Sequence, residues 1–340
     1  MEPNKIISTW MCEFHIFFFR FTYNFRRSIL WRGDERTLRI DRIATISLII
    51  VTLLWGTTFV VVQNAIAYVE PFAFNAFRFI LATLVLLPFL VKRKQKTKIT
   101  IKQVVRTSGI GFILFLGYLL QTFGLKYTTT SKSGFITGLC VVLVPVLLYL
   151  VYKERSTWST VIGCLIALLG LSFLTLGDSF SINIGDVLTL IGAFAFAFHI
   201  ILSGKYTKQM DPLTFTTIQL GTVGISSTIF SLIFENTSVS FSKELWINPT
   251  FIFAVIVTAV FCTSIAFWVQ MFAQQHISST KAALIFIFEP VFAAFTAVLF
   301  ANETLSIQTL IGGTFIVGGM LLSEVPLPKR RTKEVKNEAI

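Results

Sequence analysis

Charge is scarce in this sequence: Asp, Glu, Lys and Arg make up 14% of its 340 residues, against roughly 25% in soluble globular proteins. The shortage is concentrated. From Ile43 to Val69, a run of 27 residues, none of the four occurs. A helix needs only about 20 residues to cross a hydrocarbon core, and a soluble amphipathic helix would show a polar residue on its wet face at nearly every turn. A soluble fold is thereby excluded. Cysteine is sparse too. Cys12, Cys140, Cys164 and Cys262 are scattered without a C-x-x-C spacing, so neither a disulfide framework nor a metal site is expected. The three histidines stand apart from one another, which leaves no cluster to serve a membrane-embedded enzyme and no catalytic residue to name. No Gly-x-x-x-x-Gly-Lys-Ser/Thr run is present, which argues against a built-in ATPase. No cofactor is expected.

What the sequence has in abundance is apolar length. Hydropathy predicts an all-α integral membrane protein with ten transmembrane helices, at 43–66, 71–91, 106–125, 131–152, 156–176, 185–206, 211–234, 249–272, 279–300 and 304–324. The connections are mostly a few residues long, so sequential helices are antiparallel neighbours. The net charge of +12 sits beside these runs rather than in a recognition fold, so a nucleic-acid partner is not expected. With the N-terminus cytoplasmic, 25 of the 29 Lys and Arg fall on the cytoplasmic side. The positive-inside rule then puts both termini there, in what we expect to be the plasma (inner) membrane.

Residues 1–42 hold eight Lys or Arg and an aromatic cluster, His15 to Phe21. They read as an interfacial amphipathic segment, a basic cytoplasmic tail, or a start assigned too far upstream. Residues 325–340 form a second basic tail.

The sequence also repeats itself. A shift of 141 lays Glu70-Pro71-x-x-Phe74 on Asp211-Pro212-x-x-Phe215. A shift of 149 lays Gln121 on Gln270, Lys132 on Lys281, Glu154 on Glu303, Gly163 on Gly312 and Gly170 on Gly319. Polar residues and glycines are rare here, so their coincidence at one offset carries weight. Two units result, 43–176 and 185–324. Each holds five spans, an odd number, so the second must enter the bilayer from the opposite side, a construction common among secondary transporters. Pro145 and Pro290 differ by about one helical turn between the copies. They mark candidate bends, although proline is also simply commoner in membrane helices.

Trp55-Gly56-Thr57-Thr58-Phe59, Phe77-Arg78-Phe79 and Glu289-Pro290-Val291-Phe292-Ala293 resemble the EamA-type carriers of the drug/metabolite transporter superfamily. Glu154 and Glu303 after the fourth span of each copy, and the glycine-rich last span, fit the same pattern. The resemblance covers about residues 45–324. It implies ten helices in two inverted five-helix repeats, cytoplasmic termini, and movement of small metabolites such as amino acids, often outward. Residues 1–42 fall outside it.

Polar groups inside a span are costly, so each needs a reason. Arg78 is a candidate for holding a substrate carboxylate or phosphate with its fork, or for snorkelling or pairing with an acid. Glu289, well inside its span, suits uptake and release of a proton during a transport cycle, making the proton a possible coupling ion; the alternative is a permanent partner such as Arg78. His199 reads as a pH-responsive group or an interhelical donor. Gln121 and Gln270, near opposite faces, either line the pathway mouths or bond between helices. Trp55 and Trp268 either pack against cargo or fill seams. Lys132 and Lys281 read as solvated helix ends. Gly163, Gly170, Gly312 and Gly319 form small-residue stripes, expected to dock the fifth and tenth spans on their own repeats. A channel or a lipid flippase remains the rival to a carrier.

Overall fold

Helix starts in this chain are written in its punctuation. Proline occupies the first turn of three long helices, at Pro71, Pro212 and Pro249, where its missing N–H costs nothing and its fixed φ suits the helix. Thr100, Thr129, Asn183, Asp211 and Asn248 accept hydrogen bonds from first-turn backbone N–H groups, satisfying donors that the helix itself leaves open. The computed structural model describes residues 34–92, 99–153, 158–176, 183–236 and 238–324.

The long elements in chain order are α1 (Asp34–Ala65), α2 (Pro71–Val91), α3 (Ile101–Gly124), α4, α5 (Trp158–Leu176), α6 (Ile184–Tyr206), α7 (Pro212–Phe234), α8, α9 and α10 (Ile307–Glu324). Three are interrupted. The fourth breaks at Leu139 into α4a (Thr130–Gly138) and α4b (Cys140–Tyr152). The eighth passes from α8a (Pro249–Ala259) through a π-helical turn, Val260–Ile265, into α8b (Ala266–His276). The ninth breaks at Ile287 into α9a (Ser279–Phe286) and α9b (Phe288–Phe300). Among the described residues, eight helices are long and apolar enough to cross a membrane, while α5 and α10 carry shorter apolar segments. The protein is therefore an all-α, multi-pass membrane protein.

Boundaries fall within a few residues of those expected, with two informative exceptions. α1 starts at Asp34, well ahead of the hydrophobic run, and Asp41 on this polar extension pairs with Lys281 at 2.5 Å. α3 starts at Ile101 because Thr100 and Gln103 form a reciprocal capping box. Hydropathy registers neither, since both lie beyond the apolar core. The aromatic cluster at 15–21, Cys12, Glu154 and the tail 325–340 lie outside the described residues.

Packing brings α3 against α6 and α7, and α8 against α1 and α2. α9b lies on α1 while α4 lies on α6, and α2 meets α7. α5 and α10 dock on each other. A Cβ on Gly170 would lie 2.6 Å from the Gly312 carbonyl oxygen, and one on Gly319 would lie 2.5 Å from that of Gly163. The glycine stripes thus face one another across the two helices, and the expected docking of each on its own repeat is corrected. A stripe of small residues licenses close backbone approach without saying to which neighbour.

One end of the bundle, here the distal end, is held by carboxylates from the second half of the chain. Glu235 accepts the backbone N–H groups of Phe72 and Ala73 at 2.7 and 2.9 Å. Glu303 accepts Thr130 N–H at 2.7 Å, Ser131 N–H at 3.2 Å and the Ser131 hydroxyl at 2.6 Å. Each carboxylate sits on a helix N-terminus, where open N–H groups and the helix dipole favour negative charge. Glu303→Ala is expected to cost about 1–2 kcal/mol, read as a lowered melting midpoint of the purified protein in detergent.

Candidate functional site

Between the helices lies a cavity with about 600 Å³ of atom-free space, its open mouth included. α1, α2, α3, α4, α6, α8 and α9 all contribute to its wall. It reaches Val62 and Leu125 near the distal end, whereas toward the other end it stops at Ile200 and Gln270, each more than a helical turn short of its helix terminus. Trp55, Arg78, Gln121, His199, Gln270 and Glu289, singled out from sequence on separate helices, all line this one cavity.

The π-helical turn arranges one wall. An i→i+5 turn inserts a residue and misaligns neighbouring carbonyls, and such turns are frequent at functional sites. Here the Cys262 carbonyl accepts the Trp55 indole N–H at 2.9 Å. The next residue, Thr263, accepts the Arg78 Nε–H at 2.7 Å through its hydroxyl. Ser264 donates its hydroxyl to the Ala82 carbonyl at 3.0 Å. Three consecutive residues thereby bind α8 to α1 and α2. Trp55 also packs against Phe267 and Phe286, with ring centroids 5.4 and 5.3 Å apart.

Arg78 is 1% exposed. Its guanidinium carbon lies 4.9 Å from the Tyr118 ring centre and 5.3 Å from that of Phe79, a cation–π arrangement. Its Nη2 is buried without a hydrogen-bond partner among the described residues. It neither snorkels outward nor forms an ion pair with a described acid. Glu289 sits just past the break in α9 and is only partly buried. No hydrogen bond or ion pair reaches its carboxylate among the described residues. The cavity wall thus carries one guanidinium, Arg78, one carboxyl, Glu289, and the Tyr118 phenol.

The remaining candidates are more fully engaged. Gln121 donates to the Thr137 hydroxyl at 3.0 Å, linking α3 to α4a. His199 Nε2 lies 3.2 Å from the Ser203 hydroxyl and 3.4 Å from Gln219 Oε1, which ties α6 to α7. Gln270 Oε1 is buried and unpartnered among the described residues. Pro290 abuts Gly138, whose added Cβ would lie 2.8 Å from the proline Cγ. The breaks in α4 and α9 thus face each other, and Cys140 and Phe286 beside them line the cavity. Pro145 does not line it, and Lys281 is taken by Asp41.

Sequence reasoning missed Tyr118, Thr137, Thr263 and Phe267. Only Thr263-Ser264, adjacent hydroxyls within an apolar run, left a trace that could have been followed.

A central cavity with a few polar groups on a mostly apolar wall, inside a many-helix membrane bundle, is compatible with a transporter, and the comparison with known families decides the matter. The model of the EamA-like transporter family matches residues 42–176 and again 183–324. The chain belongs to that family. This EamA-like transporter is similar to an uncharacterized transporter of Archaeoglobus fulgidus, 36% identical over 279 residues, which span 82% of this chain and 85% of the relative. It is also similar to the uncharacterized transporter YyaM of Bacillus subtilis, 28% identical over 297 residues, covering 82% of this chain and 93% of that one. A solved crystal structure superposes with a TM-score of 0.62 at 18% identity, over 82% of this chain and 95% of the other; that likeness concerns the fold alone. Membership agrees with the absence of an enzymatic reading from the sequence.

Proposed function

We propose that this EamA-like transporter is a secondary carrier of small metabolites such as amino acids or related compounds. It works by alternating access between two five-helix halves that traverse the bilayer in opposite senses, ten spans in all, with both termini in the cytoplasm of the cell whose plasma membrane holds it. The observation that carries this reading is a cavity walled by both halves and bearing polar groups from each that have no partner among the described residues. Three further features support it. The family model matches the chain twice, once per half. The packing pattern is preserved when the halves are exchanged: α3 on α6 and α7 corresponds to α8 on α1 and α2, and α9 on α1 corresponds to α4 on α6. The helices broken beside the cavity, α4 and α9, are themselves counterparts, and irregular backbone inside a bilayer is tolerable where it borders a cavity.

Two experiments test it. Cysteines placed at Lys132 and Lys281 in a background lacking the natural ones should label from opposite sides of the membrane; labelling from one side removes the inverted arrangement. Reconstituted in liposomes, the protein should give saturable flux of a metabolite panel that unlabelled metabolite competes. Ohmic current under an applied voltage would identify a channel instead.

A further inference from the structure

Arg78 poses a chemical question that the carrier reading leaves open. A guanidinium that is 1% exposed carries a full charge away from water, and a buried charge left without a counter-charge is strongly destabilising. Natural buried arginines are accordingly paired with carboxylates or other anions. This one is not. Its Nε–H is committed to the Thr263 hydroxyl at 2.7 Å, and aromatic rings lie 4.9 and 5.3 Å from its carbon. These contacts fix where the planar fork lies. They leave Nη2, on a residue that lines the cavity, buried with no hydrogen-bond partner among the described residues. A donor pre-oriented in this way, with its complement missing, describes half of a binding contact.

We propose that Arg78 is the receptor for a carboxylate on the cargo, held in position by Thr263 of the π-helical turn. The assignment rests on the cavity being the carrier's cargo site. The cavity also limits the charge and the body of the cargo. Its wall supplies one guanidinium, that of Arg78, and one carboxyl, that of Glu289. One guanidinium matches a single carboxylate, whereas a dianion such as a phosphate ester would bring a second negative charge with no second Lys or Arg among the lining residues to balance it. The rest of the wall is largely aromatic or aliphatic, with Trp55, Phe196, Phe267 and Phe286 presenting rings. The cargo class is therefore a small monocarboxylate on an apolar body, with or without an amine to face Glu289.

Equilibrium binding to the purified full-length protein tests this without requiring transport, so a failure here is distinct from a failure of the carrier reading. Three probe pairs are compared by tryptophan fluorescence and thermal shift: benzoate with benzamide, 3-phenylpropionate with 3-phenylpropanamide, and L-phenylalanine with its amide. In the unmodified protein at least one acid should bind about tenfold or more tightly than its amide, the scale of a hydrogen bond to a charged group. Arg78→Gln should make the two members of that pair equal. Thr263→Val, which keeps shape but removes the acceptor for Nε–H, should narrow the preference while leaving amide binding unchanged. A merely structural role for Thr263 would weaken acid and amide alike. The proposal is overturned if no acid outbinds its amide in the unmodified protein, or if Arg78→Gln retains the preference. Should Arg78→Gln fail to fold, the unmodified protein and Thr263→Val decide the matter.

Discussion

Glu289→Gln is expected to insert and fold normally, to retain exchange of cargo across the membrane, and to lose accumulation driven by a pH gradient by an order of magnitude or more. Gln keeps the size of the side chain, so packing beside Pro290 should survive. What it removes is the ability to alternate between a charged and a neutral state. The expectation that this ability drives coupling rests on two observations on the molecule itself. Glu289 lines the cavity, and its carboxylate has no hydrogen-bond or ion-pair partner among the described residues, so a proton arriving through the cavity would meet an acceptor that none of them occupies. It also stands just beyond the break at Ile287, where a helix would be expected to reorient if the halves rock. A charge in a low-dielectric setting resists such movement, and its neutralisation relieves the resistance. The measurement is uptake into proteoliposomes under an imposed pH gradient, beside counterflow with no gradient. Losing both would point to a folding or binding defect; an unchanged pH response would remove proton coupling at this residue. Glu289→Asp should keep pH sensitivity with altered rate, since it preserves the titrating group.

The same residues show how far sequence alone reaches. Six cavity-lining positions were legible because each is a polar or amphipathic side chain where apolar ones are the rule, and the cost of placing it there is a signal. Tyr118 and Phe267 gave none, because with 36 Phe and 7 Tyr in the chain an aromatic side chain carries little information. Thr263 was hidden for a subtler reason. Thr58, Thr83, Thr217 and Thr222 all turn their hydroxyls back to the carbonyl four residues earlier, the ordinary way to satisfy a hydroxyl within a helix. Thr263 reaches to another helix only because the π-helical turn redirects it, and nothing local in the sequence announces that turn. The breaks were similarly displaced from their markers. Pro290 lies three residues beyond the interruption at Ile287, and Pro145 six beyond Leu139. Pro290 fits the simple account, since its ring opposes the carbonyl of Phe286, one turn earlier. At Leu139 the preceding Gly138, pressed against Pro290, contributes instead. The location of a bend is a property of the contact between α4 and α9, which no single segment encodes.

Gly319→Ala is expected to destabilise the protein markedly while Gly318→Ala, one residue away, leaves it unharmed or slightly more stable. A methyl group on Gly319 would stand 2.5 Å from the Gly163 carbonyl oxygen and 2.7 Å from the Ala167 backbone nitrogen. Both obstacles are backbone, so no rotamer change can relieve them, and α5 and α10 would have to separate. Overpacking of this kind costs about 1–3 kcal/mol, and Gly319→Leu should cost more. On Gly318 the same methyl meets nothing within 4 Å. There the change mainly restricts the unfolded chain and raises helix propensity, a gain of up to about 1 kcal/mol. Gly170→Ala should repeat the loss seen at Gly319, because its methyl would meet the Gly312 oxygen at 2.6 Å and the Ile316 nitrogen at 2.7 Å. Thermal unfolding in one detergent compares the three. The contrast between neighbours is the decisive reading: equal melting midpoints for the variants at 318 and 319 would mean that α5 and α10 do not meet along this stripe. A second consequence follows for transport. Among the described residues, α5 and α10 contribute no side chain to the cavity wall, yet each belongs to a different half, so their glycine contact is a place where the halves bear on each other. Loosening it should therefore lower transport turnover while leaving cargo affinity nearly unchanged.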